Sequence, residues 1–479
     1  WVNGETMGQE IESSEFSAHD FAEFQRRLKR ETELLAEWFD AGVFTSEGAV
    51  GGFELEACLL DRSTGPAPLN QPLLEKLDEP LVVPELATFN VEINSTARLL
   101  QGDVFERMAE ELQRVWDKCN RLAQPLGARM GMIGIMPSLQ QQALTLHNMS
   151  PLNRYQALNE QVFKLRHDRP LLIHIEGRET LDLQHDDVML ESAATSFQIH
   201  FQVDEKSAAK LYNLSKIASA PMVAVSANSP YLFGHDLWDE TRIPLFEQSI
   251  AVGASDLSKR VSFGIRYVYE SMMENFLANL QRYPVLLPLL MDEPAEKLAH
   301  LRLHNGTIWR WNRPLIGFDD SGRPHLRIEH RVVPAGPSVS DCIANAAFYF
   351  GLVSGLANRY ESPESDMGFI RARSNFYNAA REGLQAELFW FNWKTCRAEE
   401  LIREQLLGVA REGLTSLGIE TASVDYWLGI IQQRVVRGTN GATWQRQWVS
   451  RHGMDFQALM EAYLEQQESG KPVHEWSLD

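Results

Sequence analysis

Four short stretches of the chain alternate apolar and polar residues, and this two-residue period constrains the fold more than any other feature. Side chains of a β-strand point alternately to its two faces, so every second residue shares a face, about 7 Å from the last. The stretches cover residues 53–57, 89–94, 196–203 and 326–332. The pattern predicts four strands of a sheet with one apolar and one polar face.

The polar faces of these strands carry carboxylates, amides, one imidazole and guanidinium groups. Their members are Glu54, Glu56, Glu92, Asn94, Gln198, His200, Gln202, Arg327, Glu329 and Arg331. A half-exposed antiparallel sheet with only solvent on its polar side would show the same alternation. However, these faces contain no lysine, and Asn is disfavoured in strands. The set therefore favours a functional face over a solvated one.

The acidic residues of this face predict a site for divalent cations. Four glutamates that repel one another on one surface are unfavourable without a cation. Magnesium and manganese prefer carboxylate oxygen, and both accept a single imidazole. We therefore predict Glu54, Glu56, Glu92, Glu329 and His200 as metal ligands, although a lone strand histidine is more often structural.

Composition excludes several classes of partner. The chain has 479 residues, a formal charge of −20 and no basic tract, which argues against nucleic acid and acidic membrane surfaces as partners. The longest apolar stretch, residues 285–291, is too short to span a membrane. The four cysteines form no CxxC pair, so we expect free thiols and a cytoplasmic location. Trp1 is not a natural initiator, and residues 1–6 are predicted to be a non-native extension.

Segments with helical periodicity lie before and after the predicted strands in the sequence. Ser17 and Asp20 predict a capped helix start, Asp341 is a candidate N-cap of a later helix, and residues beyond about 375 are almost wholly helical. Residues 130–136 are interpreted as a buried strand. For residues 437–442, the first interpretation is a helix end followed by a loop, and the second is a loop that contacts a ligand. Arg302, Arg310 and Arg313 stand among tryptophans and fit phosphate or carboxylate binding as well as Arg–Trp stacking.

Standard phosphate-binding and hydrolytic motifs are missing from the sequence. It contains no GxxxxGK[ST] loop, no GxGxxG after a strand, no GxSxG and no HExxH. Metal ions held by glutamates can still clamp the phosphates of ATP, and arginines beside them suit phosphoryl transfer. If a substrate carboxylate accepts the phosphoryl group, an amine can then attack the acyl phosphate and form an amide.

Several motifs together resemble the second glutamate–cysteine ligase family, the carboxylate–amine ligases. They are Gly-Phe-Glu54-Leu-Glu56, Phe-Asn-Val-Glu92-Ile-Asn94, Ser-Phe-Gln198-Ile-His200-Phe-Gln202, Ala-Asn228-Ser-Pro, Glu240-Thr-Arg242-Ile, Arg327-Ile-Glu329-His-Arg331 and Thr439-Asn440-Gly441-Ala442-Thr443-Trp444. The resemblance runs in order from about Met7 to the late four hundreds.

This resemblance implies an α+β, glutamine-synthetase-like fold. A curved, mostly antiparallel sheet would line an active-site funnel, with helices outside it. Residues 7–375 would form the catalytic domain, and residues 376–479 a helical C-terminal region packed on the same domain.

The resemblance also implies roles for the site residues. Glu54, His200 and Glu329 would hold one ion near the transferred phosphate, and Glu56 and Glu92 a second. A further glutamate ligand for the second ion is expected, but the sequence does not place it. Catalytic roles fall to Arg331, Arg327 and Glu329, and contacts to phosphate or amino acid are assigned to a further set: Arg242, Asn94, Gln198, Gln202 and Asn228.

The predicted activity is ATP-dependent ligation of the γ-carboxylate of L-glutamate to the amine of L-cysteine. It would use two or three Mg²⁺ ions, with Mn²⁺ as the alternative, and would serve glutathione biosynthesis. A different amine acceptor is the first alternative, and a non-catalytic paralogue that binds nucleotide or amino acid is the second. The sequence leaves the oligomeric state open, including a homo-oligomer.

Overall fold

The computed structural model describes residues 15–45, 48–252, 259–391 and 394–479. The predicted extension, residues 1–6, lies outside this part of the chain. The strands of the described residues are β1 (Val50–Leu60), β2 (Val82–Pro84), β3 (Asn90–Asn94), β4 (Arg98–Leu99), β5 (Arg129–Gly131), β6 (Leu171–Glu176), β7 (Thr180–His185), β8 (Phe197–Val203), β9 (Tyr231–Leu232), β10 (His235–Asp236), β11 (Asn312–Phe318), β12 (Pro324–His330), β13 (Glu387–Phe389) and β14 (Thr395–Arg397).

Helices surround these strands and dominate the C-terminal quarter. The α-helices of the described residues are α1 (Ala18–Ala41), α2 (Asn70–Leu74), α3 (Val104–Ala123), α4 (Asn153–Leu165), α5 (Glu205–Ser226), α6 (Arg242–Ser249), α7 (Met273–Arg282), α8 (Ala299–Gly306), α9 (Val339–Arg359), α10 (Pro363–Asp366), α11 (Phe369–Glu382), α12 (Ala398–Leu401), α13 (Leu407–Ser416), α14 (Thr421–Val436), α15 (Gly441–His452) and α16 (Phe456–Glu468).

A curled antiparallel sheet of eight strands forms the centre of the fold. Its strands follow the order β11-β12-β8-β1-β3-β2, and β4 and β5 also pair with β1. The four strands predicted from the alternating stretches are therefore neighbours, β12, β8, β1 and β3. This confirms the predicted α+β class and the curved, antiparallel sheet.

The apolar face of the sheet packs on two long helices, α5 and α9. Phe53, Leu55 and Ala57 of β1 are buried on this face, and the Phe201 ring of β8 meets the Phe350 ring of α9 edge to face at 5.4 Å. A Cβ at Gly51 would lie 2.7 Å from side-chain atoms of Leu100 and Phe350. Glycine is therefore required where β1 crosses the helix layer.

The core helix α9 is long and apolar enough to cross a membrane by length and composition, and 94% of its most apolar window is buried inside the protein. The buried core helix of a folded protein gives the same signal. The helix begins at Val339 with Ser338 as its N-cap, so the prediction of Asp341 as N-cap is wrong. Asp341 lies in the first turn and binds Arg434 of α14 at 2.8 Å.

The C-terminal helices lie against the helix layer and the end of the sheet. Arg434 of α14 also donates to the Asn345 side chain of α9 at 2.7 Å, and Tyr463 of α16 accepts from Asn228 at 2.8 Å. Asn440 is the N-cap of α15 and donates to the carbonyl of Ala224 in α5. The segment 437–442 thus contains the C-terminal cap of α14 and a short loop into α15, as the first interpretation predicted.

Candidate active site

Strand register brings the predicted polar residues onto one face. Glu56 of β1 lies opposite Glu92 of β3, and Glu54 lies opposite both Asn94 and Gln198. On the other side of β8, His200 pairs with Glu329 of β12 and Gln202 with Arg327. The face carries two separate groups of candidate metal ligands, each with three side chains whose ligand atoms lie within 4.8 Å of one another.

The first group consists of Glu54, His200 and Glu329. The His200 Nε2 atom lies 3.3 Å from Glu54 Oε1 and 3.8 Å from Glu329 Oε1. His200 and Glu329 are almost completely buried. These three residues are the set predicted to hold the ion nearer the transferred phosphate.

Two arginines balance the charge of the first group. Arg313 donates to both oxygens of Glu329, with Nε at 2.7 Å and Nη2 at 2.8 Å, and Arg331 Nη1 lies 3.3 Å from Glu329 Oε2. Burial acts to raise the pKa of Glu329, but Arg313 and Arg331 outweigh it and hold this pKa far below its ordinary value. Burial also acts to raise the pKa of Glu54, but His200 acts to lower it, and the pKa of Glu54 is lowered overall.

The second group consists of Glu56, Glu85 and Glu92. Glu85 directly follows β2 and is the further glutamate that the sequence did not place. Glu56 accepts hydrogen bonds from the Ser196 amide at 2.6 Å and from Gln198 Nε2 at 2.8 Å. Asn94 Nδ2 donates to Glu92 at 2.9 Å.

Among the residues that the structure describes, the carboxylates of the second group have no basic partner comparable to Arg313 of the first group. Burial and the charge of Glu85 raise the pKa of Glu56 to about 7. Burial and the charges of Glu54 and Glu85 raise the pKa of Glu92 well above its ordinary value, and burial raises that of Glu85. A divalent cation would relieve this repulsion, and an all-oxygen donor set suits Mg²⁺ or Mn²⁺.

Arg331 lies between the two groups. Its Nη1 donates to Gln198 Oε1, and Gln198 in turn donates to Glu56, so this glutamine holds the guanidinium in place. The Nε of Arg331 is buried and has no hydrogen-bond partner among the described residues. A donor is therefore available to an anionic substrate group next to both sets of carboxylates.

Arg242 supports the backbone that carries Arg331. It donates to the carbonyls of Arg331 at 3.3 Å and Val332 at 2.6 Å, and to Glu240 Oε1 at 3.0 Å. Its guanidinium also lies 5.3 Å from the centre of the Trp311 ring. The observed contacts thus place Arg242 behind the site.

The remaining predicted contacts divide between the site and the interior. Arg327 is mostly buried on the polar face, and the Oε1 atom of its neighbour Gln202 accepts a hydrogen bond from His325 Nδ1 at 2.9 Å. Asn228 is completely buried, and its amide donates to the Ala335 carbonyl and Tyr463 hydroxyl. The structure therefore does not bring the Asn228 side chain into either group.

The sequence did not place Glu85, and it named Arg313 only as one of three candidate anion-binding arginines, without its partner Glu329. The segment before Glu85 is a three-residue strand that ends in proline, so it shows no alternation that could mark a polar face. Arg313 was grouped with neighbouring arginines and tryptophans, whereas its place on β11 opposite Glu329 decides its partner.

The chain belongs to glutamate–cysteine ligase family 2, because the model of this family matches residues 15–466. Membership of this family places the protein in the class of ATP-dependent carboxylate–amine ligases. No curated protein matches the sequence.

One solved structure shows the same fold at low sequence identity, and two others match with lower TM-scores. A glutamate–cysteine ligase from Francisella tularensis, solved in complex with AMP, is similar with a TM-score of 0.57 and 10% identity, over 91% of each chain. A bifunctional glutathione synthetase from Pasteurella multocida matches with a TM-score of 0.44 and 10% identity, over 94% of this chain and 55% of that one. The ligase PafA, in complex with the ubiquitin-like protein Pup, matches with a TM-score of 0.34 and 12% identity, over 86% of this chain and 72% of that one.

Proposed function

We propose that the protein joins the γ-carboxylate of L-glutamate to the amine of L-cysteine, with ATP as the energy source. The observation that carries this proposal is the convergence of two carboxylate groups on Arg331, on one face of the sheet. This arrangement suits a phosphoryl transfer followed by attack of an amine.

The residues of the site suit both steps of such a reaction. An oxygen of the glutamate γ-carboxylate attacks the γ-phosphorus of ATP, the bond to the ADP oxygen breaks, and an acyl phosphate forms. The amine, after losing a proton, attacks the acyl carbon; the C–N bond forms, the C–O bond to phosphate breaks, and phosphate leaves with the electron pair. Arg331 would face the charge that builds on the transferred phosphate in each step.

The two groups of carboxylates would hold divalent cations. Glu54, His200 and Glu329 would hold one, and Glu56, Glu85 and Glu92 the other. Bound cations would neutralise the phosphate oxygens of ATP. In this scheme Gln198 positions Arg331, and Arg313 orients the carboxylate of Glu329.

The amine is the less constrained part of the proposal. A different amine acceptor keeps the mechanism and the metal groups unchanged. A non-catalytic paralogue would keep the nucleotide site without turnover, but intact ligand groups and the available Arg331 donor favour an enzyme.

The test is ADP production by the purified protein with Mg²⁺, ATP and L-glutamate, across a panel of amines led by L-cysteine, with product masses measured directly. We expect the mass of γ-glutamylcysteine only when all three substrates are present. A different amide product would show that the acceptor is another amine. Binding of Mg²⁺–ATP without any turnover would support the non-catalytic paralogue instead.

A further inference from the structure

Three buried basic side chains lie outside the two carboxylate groups and have no role in the proposed reaction. They are Lys216 of α5, Arg260, and Arg310 in the segment before β11, and we call them the basic cluster. Lys216 and Arg260 are each 1% exposed, and Arg310 is 6% exposed. Arg310 is also one of the arginines whose sequence surroundings fit phosphate or carboxylate binding.

Ring contacts and hydrogen bonds bring the two arginines together. The centre of the Tyr283 ring lies 5.5 Å from the guanidinium carbon of Arg310 and 6.0 Å from that of Arg260. Backbone carbonyls hold Arg260 in place, because its Nη1 donates to Thr307 at 2.9 Å and its Nη2 to Pro284 at 2.6 Å. Both guanidinium groups therefore border the same tyrosine.

Lys216 reaches the basic cluster from α5. Its Nζ donates to the Phe263 carbonyl at 2.8 Å and lies 4.9 Å from the centre of the Tyr212 ring. Ser262, the residue before Phe263, forms a β-bridge with Arg310. The segment that accepts the hydrogen bond from Lys216 is therefore paired with the segment that carries Arg310.

The described residues supply no carboxylate to these three cations. No Asp or Glu oxygen among them lies within 4.0 Å of a side-chain nitrogen of the basic cluster. Burial, and then the charge of Arg310, lower the pKa of Lys216 to about 7, and burial lowers the pKa of Arg260 to about 10. Backbone carbonyls accept hydrogen bonds from the cluster but carry no formal charge, so its positive charge remains uncompensated.

Two nitrogen atoms of the basic cluster, Arg260 Nε and Arg310 Nη1, are buried without a hydrogen-bond partner among the described residues. The same holds for the amide nitrogen of Asn275 in α7, whose Oδ1 accepts from the Tyr212 hydroxyl at 3.3 Å. A buried donor without an acceptor is unfavourable. An anion with several oxygens would satisfy these donors and the positive charge together.

The basic cluster is separate from the proposed active site. Asn312, the first residue of β11, points to α5, where its amide donates to the Ser219 hydroxyl at 2.9 Å. Arg313, the next residue, points to the opposite face and binds both oxygens of Glu329. The cluster contains a residue of α5 and so lies on the helix side of the sheet. Its small exposed fraction, at Arg310, favours a small ligand over a nucleotide.

We propose that the basic cluster binds one small tetrahedral oxyanion, inorganic phosphate or sulfate. The oxyanion would accept hydrogen bonds from Arg260 Nε and Arg310 Nη1 and would lie close to the ammonium of Lys216. Its binding would stabilise the segment that leads into β11, the strand from which Arg313 reaches Glu329. This site goes beyond the proposed function, since it contacts neither carboxylate group.

The test is calorimetric titration of the metal-free protein with sodium phosphate and with sodium sulfate, in chelator and at an ionic strength kept constant with KCl. We expect the wild type to bind at least one of them, and the lower Kd identifies the ligand. Arg310→Met should raise this Kd about ten- to a hundred-fold, because a charge-assisted hydrogen bond is lost. Arg331→Met, which changes the anion donor of the proposed active site, should leave the Kd within about two-fold.

A second variant keeps the test decisive if Arg310→Met does not fold. Lys216→Met replaces the buried ammonium with an apolar side chain of similar length. We expect the bound anion to raise the unfolding temperature of the wild type above that in KCl of equal ionic strength. Lys216→Met should lose most of this rise. An equal rise in both proteins would overturn the inference.

Two other results would also overturn it. One is the absence of phosphate and sulfate binding to the wild type, and the other is binding that Arg331→Met abolishes and Arg310→Met preserves. Arg107→Met is the matched control, because it removes an exposed arginine and should change neither the Kd nor the rise in unfolding temperature. None of these measurements uses nucleotide, amine or metal, so their outcome is independent of the proposed ligase reaction.

Discussion

The two carboxylate groups have similar ligands but opposite electrostatic surroundings. In the first group, Arg313 and Arg331 contact Glu329, and the pKa values of Glu54 and Glu329 are lowered. In the second group, the pKa values of Glu56, Glu85 and Glu92 are raised. Arg313 and Arg331 supply counter-charge to the first group, whereas we propose that a bound cation supplies it to the second.

This difference suggests distinct roles for the groups within one site. A charge-balanced group keeps its geometry when no ligand is bound, because each buried charge already has a partner. A group with uncompensated carboxylates gains its full order only when a cation binds. We therefore expect metal binding to stabilise the second group more than the first.

The largest effect is expected for Glu329→Gln, which breaks the charge balance of the first group. The change leaves the completely buried Arg313 without its carboxylate partner. Loss of one member of a buried ion pair costs about 3–5 kcal/mol. We expect the free energy of unfolding, measured with urea in the presence of a chelator, to fall by this amount and the ligase activity to be lost. A variant with wild-type ADP release would contradict the assignment of Glu329 as a ligand.

Arg331→Lys tests whether one guanidinium serves both groups. A lysine ammonium is a point charge and cannot contact Gln198 and a phosphate in the same planar geometry. We expect kcat to fall about 100- to 1000-fold, with a smaller change in the KM for glutamate. Steady-state kinetics with L-glutamate as the varied substrate measure both values. An unchanged kcat would remove Arg331 from the phosphoryl-transfer step.

Glu92→Gln should act on stability in the opposite direction from Glu329→Gln. The substitution removes one of the repelling charges, and the new amide still accepts from Asn94. We expect the free energy of unfolding of the metal-free protein to rise by about 1 kcal/mol, while the stabilisation by added Mn²⁺ is reduced. Parallel urea titrations with chelator and with Mn²⁺ give both quantities. A loss of stability as large as that of Glu329→Gln would show that the two groups are not electrostatically different.

The last prediction is a pH dependence of stability between about pH 4.5 and pH 7, which follows from the raised pKa values of the second group. The pKa of Glu56 is raised from 4.5 to about 7, so the folded metal-free protein holds this proton more tightly than the unfolded chain. Its contribution to the free energy of unfolding therefore falls as pH rises from about 4.5 to about 7. The difference in stability between wild type and Glu56→Gln should follow this slope in chelator and lose it in saturating Mg²⁺. An equal difference at pH 5 and pH 7.5 would be evidence against it.

The sheet and its polar face could be predicted because their information is local. The alternation around Glu54 and Glu329 identified β1 and β12, and the capping box at Ser17 and Asp20 identified the start of α1. The predicted strand at residues 130–136 was too long, since pairing with β1 ends at Gly131. An apolar run alone does not show where a strand loses its partner.

The residues that complete the site depend on contacts between distant segments. Glu85 joins Glu56 and Glu92 because β2 pairs with β3, and no local pattern marks this pairing. Asn228 and Arg242 have the residue types of ligand contacts, but their observed partners lie within the protein.

Strand β1 supplies one carboxylate to each group, Glu54 to the first and Glu56 to the second, with Leu55 between them in the core. The covalent chain itself therefore fixes the distance between the two proposed cation sites. A point mutation can replace one ligand without altering that distance. A single-residue insertion or deletion at Leu55 would instead turn one of the two carboxylates towards the core and disrupt one group. The length of this segment thus serves both groups at once, whereas each ligand on it serves one group.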